Sequence, residues 1–330
     1  MTKRPTALYA MSPVHLPLLF PTPVRRRITA LVDIDADLAV DRFDDPRAAD
    51  RLRDLEVLIT GWGCPPLDDA FLAAAPRLRA VLHAAGSIKP HVTDGVWERG
   101  ITVCSAAEAN ATPVAEYTTA MVLLAGKGVF ALHDSYHAAR TFTVAQIAPS
   151  VGNFGRRVGI VGASRTGRQV IRLLRRHDLR LCLYDPYATV SGVPNVPLEE
   201  LLATSDIVSL HAPATPETHH LLDRRRLALL RDGAVLINTA RGVLVDTPAL
   251  VDELTTGRIS AVLDVTDPEP LPADSPLFDL PNVFLTPHVA GSHGNELARM
   301  GSHIADELER LLTGRPLRYQ VRQHELLRAA

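Results

Sequence analysis

Cysteine, aromatic residues and net charge are all scarce in this chain of 330 residues. Its three cysteines, Cys64, Cys104 and Cys182, form no CxxC pair and no metal-binding spacing, and each lies in or beside an apolar run. This usage indicates reduced, mostly buried thiols in a cytoplasmic protein without a metal site. The net charge of −2 gives no electrostatic reason to expect nucleic acid or an anionic membrane as the main partner.

Long hydrophobic runs are missing as well. The longest apolar stretch, about Tyr117 to Leu132, contains Lys127 and is too short to span a bilayer comfortably, so it predicts a buried core or interface helix. The N-terminus has no apolar run followed by a cleavage site, and we expect no targeting segment. The hydrophobic content of 46% is ordinary for a globular protein, and the length suffices for two domains.

Short apolar runs alternate with amphipathic segments along the whole chain. This alternation predicts an α/β protein whose parallel sheets are covered by helices on both faces. Strands are predicted over residues 6–11, 27–32, 57–60, 79–83, 100–104, 158–161, 179–184, 193–196, 207–211, 234–238, 259–263 and 283–285. Helices are predicted over residues 67–78, 110–132, 224–230, 247–256 and 295–312, and a loop over residues 140–156.

A glycine turn joins the strand at residues 158–161 to the amphipathic segment that follows it. Gly162 would make the turn, and Gly167 would allow close packing between helix and strand. Ser164 stands where a dinucleotide fingerprint has its second glycine. The strand, turn and helix would aim backbone N–H groups at an anion, which favours a dinucleotide site over an ordinary strand–helix unit.

Asp185 strengthens this interpretation. It follows Gly162 by 23 positions, at the end of the next predicted strand. A carboxylate there can accept hydrogen bonds from both ribose hydroxyls of adenosine and would repel a 2′-phosphate. The sequence therefore favours NAD over NADP, although a solvated aspartate in a loop is the plainer alternative.

Several polar residues follow predicted strands of the same sheet. They include Asp185, His211, Arg241, Asp264 and His288. Because the carboxyl ends of parallel strands share one edge of a sheet, where ligands bind in open α/β folds, we expect these residues to lie at one site. His211 could equally pack beneath the cofactor, and Asp264 could be a turn carboxylate.

This set of residues suits the chemistry of 2-keto and 2-hydroxy acids. Arg241 could bind a substrate carboxylate through paired, charge-assisted hydrogen bonds. His288 could give or take the proton of the reacting oxygen, and Glu269 could stabilise its charged ring. Alone, Arg241 or His288 could be structural; together with the glycine turn they favour catalysis.

These segments resemble the D-isomer-specific 2-hydroxyacid dehydrogenases, including members such as phosphoglycerate dehydrogenase and glyoxylate-hydroxypyruvate reductase. The resemblance covers nearly the whole chain, and it is specific for the family but not for a substrate. It is carried by the glycine turn, by Asp185 and by segments 238–242, 264–270 and 286–288, with Asn110 and residues 114–116 upstream.

The resemblance implies two doubly wound parallel-sheet domains. A flavodoxin-like substrate domain would comprise residues 1–108 and 290–330, with a Rossmann NAD-binding domain, residues 109–289, inserted in it. The implied catalytic residues are Arg241, Glu269 and His288. The implied partners are a small 2-keto or 2-hydroxy acid and a second copy of the chain in a homodimer, and no further regulatory domain is expected after the last helix.

The family also implies which residues bind cofactor and substrate. The cofactor-binding residues expected are Gly162, Ser164, Arg165, Thr166, Gly167, Asp185, His211, Ala212, Pro213, Thr218, Thr239, Ala240 and Asp264. The substrate-binding residues expected are Ala85, Gly86, Ser87, Asn110 and Arg241. Ser164 departs from the family's glycine, so either the backbone stands off the pyrophosphate or the serine hydroxyl donates to it.

Two other functions use the same fold. A phosphite-type dehydrogenase is one, whereas Glu269 argues against the formate enzymes, which carry Gln at that position. An NAD(H)-sensing protein that binds partners as a co-repressor does is the other, and Arg241, Glu269 and His288 argue against binding alone. His133 and His137 stand four residues apart, but without a third ligand they indicate a surface or core pair, not a metal site.

Overall fold

The computed structural model describes residues 3–141, 147–148 and 151–326, and it forms two compact units. Unit 1 comprises the chain up to residue 111 and again from residue 292, and unit 2 comprises residues 112–291. The boundaries expected from the sequence, after residues 108 and 289, lie three and two residues before these. Residues 142–146, 149 and 150 of the predicted loop lie outside the described part of the chain.

Strands and helices alternate through both units. The strands are β1 Thr6–Ala10, β2 Ala39–Val40, β3 Leu55–Thr60, β4 Ala80–His83, β5 Thr102–Ser105, β6 Arg157–Val161, β7 Arg180–Tyr184, β8 Ile207–Leu210, β9 Val235–Asn238, β10 Ser260–Leu263, β11 Val283–Leu285 and β12 Gln320–Val321. The helices are α1 Leu16–Leu19, α2 Thr22–Leu31, α3 Pro46–Leu52, α4 Asp69–Ala74, α5 Asp94–Glu98, α6 Ala107–Gly126, α7 Val129–Ala139, α8 Arg165–Leu174, α9 Leu198–Thr204, α10 Arg224–Leu227, α11 Thr247–Thr255, α12 Leu297–Leu312 and α13 Gln323–Leu326.

Unit 1 contains a six-stranded sheet in the order β12-β5-β4-β3-β1-β2. Its strands are parallel except β12, which pairs antiparallel with β5. Successive residues of β1 point to opposite faces: Tyr9 packs in one core with α2 and α12, and Leu8 packs in the other with α3 and α4. Both faces are buried, which explains why these strands read as continuous apolar runs.

Unit 2 contains a six-stranded, fully parallel sheet in the order β11-β10-β9-β8-β6-β7. Two cores cover its faces; Leu210 and Leu236 lie in one, and Ile160 and Ile237 in the other. Because all six strands run the same way, their carboxyl ends meet at one edge. The predicted α/β class with two parallel-sheet domains is confirmed.

Two predicted strands are wrong. Residues 27–32 belong largely to α2, whose buried Val24 and Ile28 stand four residues apart with exposed arginines between them, the spacing of a helix face. Residues 193–196 form only two isolated bridges, Asn195 with Leu183 and Val193 with Val190. Pro194 has no N–H to donate to a ladder, which limits this segment to local pairing.

Three helix predictions need correction. The stretch predicted as one helix over residues 110–132 is two helices, α6 and α7, separated at Gly128, whose φ of 62° is left-handed. α11 ends at Thr255, one residue before the predicted end, and its N-cap is Asp246, whose side chain accepts from Ala249 N. α10 ends at Leu227, three residues before the predicted end. No helix among the described residues is long and apolar enough to cross a membrane.

Candidate active site

In the turn between β6 and α8, the backbone lies very close to the start of α8 and to the segment that follows β8. Gly162 has φ of 100°, and a Cβ there would lie 2.6 Å from Ala212 N. A Cβ on Gly167 would lie 2.1 Å from Gly162 O. Side chains at either position would push the turn away from α8 and from the end of β8, so both glycines are needed for this approach.

Ser164 is the N-cap of α8. Its Oγ accepts a hydrogen bond from Gly167 N at 3.2 Å. A hydroxyl that accepts this bond still has its own proton to donate, and the first turn of a ten-residue helix favours an anion. The residues of this turn, including Arg165 and Thr166, therefore fit the pyrophosphate of a dinucleotide.

Asp185, at the end of β7, holds the same turn. Its Oδ2 accepts from Ala163 N at 2.6 Å, and its Oδ1 accepts from Tyr187 N and Ala188 N at 2.8 and 2.9 Å. The side chain of Asn195 bonds to the backbone of Asp185 on both sides, through N and O. The carboxylate is thus fixed beside the glycine turn, where a ribose contact stays a prediction.

The segment after β8 is braced by its own side chains. Thr218 Oγ1 donates to Pro213 O at 2.6 Å and accepts from Thr215 N at 2.8 Å. His211 is 1% exposed, its Nε2 lies 2.9 Å from Ser209 Oγ, and burial lowers its pKa to about 3. The His211 ring is thus neutral and enclosed, and the cofactor contacts expected of His211, Ala212, Pro213 and Thr218 stay predictions.

Asn238 shapes the turn that carries Arg241. Its Nδ2 donates to Arg241 O at 2.9 Å, and its Oδ1 accepts from Ala240 N at 3.1 Å. Burial lowers the pKa of Arg241, whereas the negative charge of Glu269 acts against that shift. In the same turn, Thr239 Oγ1 lies 2.8 Å from Thr118 Oγ1, and both residues are buried. The guanidinium itself donates through Nη1 to Ala240 O at 2.6 Å.

Glu269 and His288 form a close pair. Glu269 Oε1 lies 2.6 Å from His288 Nδ1, and the two side chains are 43% and 49% exposed. Since a carboxylate only accepts, His288 Nδ1 carries the donated proton. The residue itself has a left-handed φ of 55°, and its N donates to Asp264 O at 2.9 Å. The structure therefore pairs Glu269 with His288, and the charge of Glu269 also acts on the third residue expected to be catalytic, Arg241.

Asp264 holds the segment that carries His288. Its carboxylate, only 2% exposed, accepts from Thr286 Oγ1 at 2.6 Å, Val289 N at 2.8 Å and Ala290 N at 2.9 Å. The sequence placed Asp264 at the strand end but did not predict these contacts. Its contact with the cofactor stays a prediction.

The substrate-binding residues expected in unit 1 lie at the end of β4 and the start of α6. Ala85, Gly86 and Ser87 follow β4. The side chain of Asn110 lies close to this segment, because a Cβ built on Gly86 would be 3.4 Å from Asn110 Nδ2. Asn110 Oδ1 also accepts from Ser292 N at 2.9 Å, so Asn110 joins two chain segments of this unit. Arg241, the fifth residue expected to bind substrate, belongs to unit 2.

Three further histidines, His83, His133 and His137, lie outside this set of residues. His83 is buried, bonds through Nδ1 to Thr60 Oγ1 at 2.8 Å, and has a pKa lowered to about 3, mainly by burial. The rings of His133 and His137 lie 4.3 Å apart on α7. Throughout residues 3–141, 147–148 and 151–326, no group of three potential ligands could hold a metal ion.

Comparison with known proteins agrees with this geometry. Residues 119–290 match the family model described as the NAD-binding domain of D-isomer specific 2-hydroxyacid dehydrogenases. The chain belongs to this family. That match falls within unit 2, which is therefore an NAD-binding domain, and the predictions of the family and of NAD as cofactor are confirmed.

Relatives from several organisms are similar to the chain. A glyoxylate reductase from Korarchaeum cryptofilum is 35% identical over 269 residues, which cover 78% of this chain and 80% of the relative. A D-3-phosphoglycerate dehydrogenase from Mycobacterium tuberculosis is 34% identical over 258 residues, 75% of this chain and 48% of the relative. The chain thus spans about half the length of the phosphoglycerate dehydrogenases that it matches.

Solved structures extend the likeness to both units. A phosphoglycerate oxidoreductase from Rhizobium etli has a TM-score of 0.84 at 25% identity, covering 97% of this chain and 99% of the other. A D-lactate dehydrogenase from Aquifex aeolicus, complexed with NAD and lactic acid, has a TM-score of 0.70 at 25% identity and covers 94% and 96% of the two chains.

Proposed function

We propose that this chain is an NAD-dependent oxidoreductase that interconverts a small D-2-hydroxy acid and its 2-keto acid. The observation that carries this proposal is the pair of Glu269 Oε1 and His288 Nδ1 at 2.6 Å, at the same sheet edge as the turn at Gly162. An acid–base pair beside a dinucleotide turn is the arrangement that hydride transfer to a carbonyl requires.

Arg241 is the residue proposed to bind the substrate. Its planar guanidinium can donate two parallel hydrogen bonds to a carboxylate, and partial burial strengthens the attraction. Bound in this way, the acid has a fixed orientation, with its keto oxygen available to a proton donor. Glu269 keeps the local charge balanced when no substrate is bound.

His288 is proposed to supply the proton. In reduction, bound NADH would supply a hydride to the carbonyl carbon, and His288 would donate a proton through Nε2 to the carbonyl oxygen, giving a hydroxyl. His288 Nδ1 stays bonded to Glu269, which fixes the ring and stabilises its charged form. In oxidation, the same ring accepts the hydroxyl proton.

In unit 1, the segment Ala85–Ser87 and Asn110 are proposed to contact the acid. The backbone N–H groups of a small-residue loop can donate to a carboxylate without the steric hindrance of large side chains. Asp185 is proposed to bind the adenosine ribose and so to favour NAD over NADP.

The chain is also proposed to form a homodimer in the cytoplasm. α7 buries none of its residues, and its Val129 and Tyr136 are 38% and 53% exposed. Phe154, which follows α7 in the chain, is 91% exposed. Large exposed side chains of this kind support an interface between copies. Light scattering should give twice the chain mass for the native protein and the monomer mass for Phe154→Glu; a native monomer would contradict the dimer. Three buried, unpaired cysteines support a reducing compartment.

The activity is tested by NADH oxidation with glyoxylate, hydroxypyruvate, pyruvate, bulkier 2-keto acids and 3-phosphohydroxypyruvate, and by NAD reduction with phosphite. We expect turnover with at least one keto acid, and its loss in His288→Ala, while NADH still binds by fluorescence. His177→Ala, an exposed histidine of the same unit, is the matched control. No turnover with any keto acid, or equal turnover in His288→Ala, would contradict the proposal.

A further inference from the structure

A chain of two hydroxyl groups and a carboxylate lies behind the segment that carries His288. Tyr117 Oη lies 2.7 Å from Thr286 Oγ1, and Thr286 Oγ1 lies 2.6 Å from Asp264 Oδ1. Tyr117 belongs to α6, Thr286 directly follows β11, and Asp264 directly follows β10. Three elements of unit 2 are therefore linked by two short hydrogen bonds.

The direction of these bonds follows from the chemistry of the groups. An ionised carboxylate only accepts, so Thr286 must donate its one hydroxyl proton to Asp264. Thr286 Oγ1 then accepts, and Tyr117 is the donor. Burial and the charge of Asp264 both raise the pKa of Tyr117, so its hydroxyl keeps the proton that it donates.

Asp264 in turn accepts hydrogen bonds from the backbone around His288. Its Oδ1 and Oδ2 accept from Val289 N and Ala290 N, and its carbonyl oxygen accepts from His288 N. Three consecutive amides thus converge on one residue. His288 needs such support because its φ of 55° lies in the left-handed region, which is unfavourable for a residue with a side chain.

We propose that Tyr117 and Thr286 are positioning residues that hold His288 in its proton-transfer geometry through Asp264. This inference rests on the proposed function for its kinetic consequence, but its structural part does not. Neither hydroxyl is expected to touch the substrate. The plainer explanation is that two partly buried hydroxyls simply satisfy each other, and it predicts no effect on His288.

Thr286 offers a matched pair of variants. Thr286→Val keeps the shape but removes both hydrogen bonds, whereas Thr286→Ser keeps the hydroxyl and loses one methyl group. We expect kcat for 2-keto acid reduction to fall roughly ten-fold or more in Thr286→Val, as loss of a bond to a charged group implies. We expect Thr286→Ser to restore most of it, with the KM of the keto acid and the Kd of NADH unchanged in both.

Tyr117→Phe removes only the terminal donor and should give a smaller fall in kcat, roughly two- to ten-fold, because a neutral hydrogen bond contributes less. Thr255→Val, at an exposed site on α11, is the control for the valine substitution and should leave kcat unchanged. Equal kcat values in the native protein and Thr286→Val would overturn the proposal. Equal losses in the valine and serine variants would do the same.

Amide hydrogen exchange tests the inference without turnover. In the native chain, the amides of residues 288–290 are bonded to Asp264 and should exchange slowly. We expect Thr286→Val to speed exchange in a peptide that spans residues 286–290 and nowhere else. Unchanged exchange there would overturn the proposal even if no keto acid is turned over, whereas faster exchange in an inactive protein would contradict only the proposed function.

Discussion

Glu269 Oε1 lies 2.6 Å from His288 Nδ1, across the ends of two neighbouring parallel strands. Glu269 belongs to the segment after β10, and His288 to the segment after β11. Because those strands pair in register, the two side chains meet although 19 positions separate them in the sequence. The fold itself assembles the pair, and the charge of Glu269 also acts on Arg241.

Glu269→Gln should lower kcat for 2-keto acid reduction without weakening NADH binding. A neutral amide can still accept from His288 Nδ1, but it no longer stabilises the charged ring. We expect a fall of roughly ten-fold, at the low end for a charge-assisted bond because both side chains are close to half exposed. Steady-state kinetics and NADH fluorescence measure the two effects, with Glu98→Gln in unit 1 as the control. An unchanged kcat would contradict the role of Glu269.

Asp185→Asn should shift the coenzyme preference toward NADP. Asparagine keeps one side-chain oxygen that can accept from Ala163 N, but it loses the negative charge and the bonds that Oδ1 accepts from Tyr187 N and Ala188 N. We expect the ratio of kcat/KM for NADP to that for NAD to rise roughly ten-fold, because repulsion of the 2′-phosphate disappears. Asp178→Asn, in the exposed turn after α8, should leave this ratio unchanged. An unaltered ratio in Asp185→Asn would remove Asp185 from coenzyme selection.

The sequence predicted the strands of both sheets far better than the contacts of the site. The prediction for β11 is correct residue for residue, because an apolar run of three residues bounded by turn residues is too short for a helix and indicates a strand. α2 was missed because Pro23 and three arginines conceal the buried pair Val24 and Ile28. Local composition misleads where only two buried residues define the helix face.

Strand order explains what could be predicted of the site and what could not. A parallel sheet forces residues that follow its strands to one edge, so that Asp185, Arg241 and His288 could be expected together. No such rule pairs Tyr117 with Thr286, 169 positions away, because the pairing depends on how α6 packs on unit 2. Nor does spacing reveal that Asp185 holds the backbone of the glycine turn.

Ser164 is expected to stabilise α8 and to assist coenzyme binding. Ser164→Ala removes the cap on Gly167 N and should lower the free energy of unfolding by about 1 kcal/mol, whereas Ser164→Gly should cost only a few tenths. For a unit of this size, the alanine variant should melt roughly 2–4 °C lower. In NADH titrations, both variants should bind more weakly if the hydroxyl donates to phosphate. Tighter binding by Ser164→Gly would show instead that the serine holds the coenzyme away.

The buried ring of His211 should make unit 2 sensitive to acid. Burial lowers its pKa from 6.5 to about 3, so between these values the unfolded chain binds a proton that the folded chain does not. The folded state therefore loses stability as the pH falls from about 6.5 toward 3, by up to roughly 1.4 kcal/mol per pH unit from this ring.

His211→Gln should reduce that loss, since glutamine can still bond to Ser209 but does not titrate. Urea unfolding midpoints measured between pH 7 and pH 4, followed by a probe in unit 2, should fall less steeply with acid in this variant than in the native chain. His219→Gln, at an exposed position of the same unit, should keep the native slope. Identical slopes in all three proteins would mean that the buried His211 ring does not set the acid stability of the NAD-binding domain.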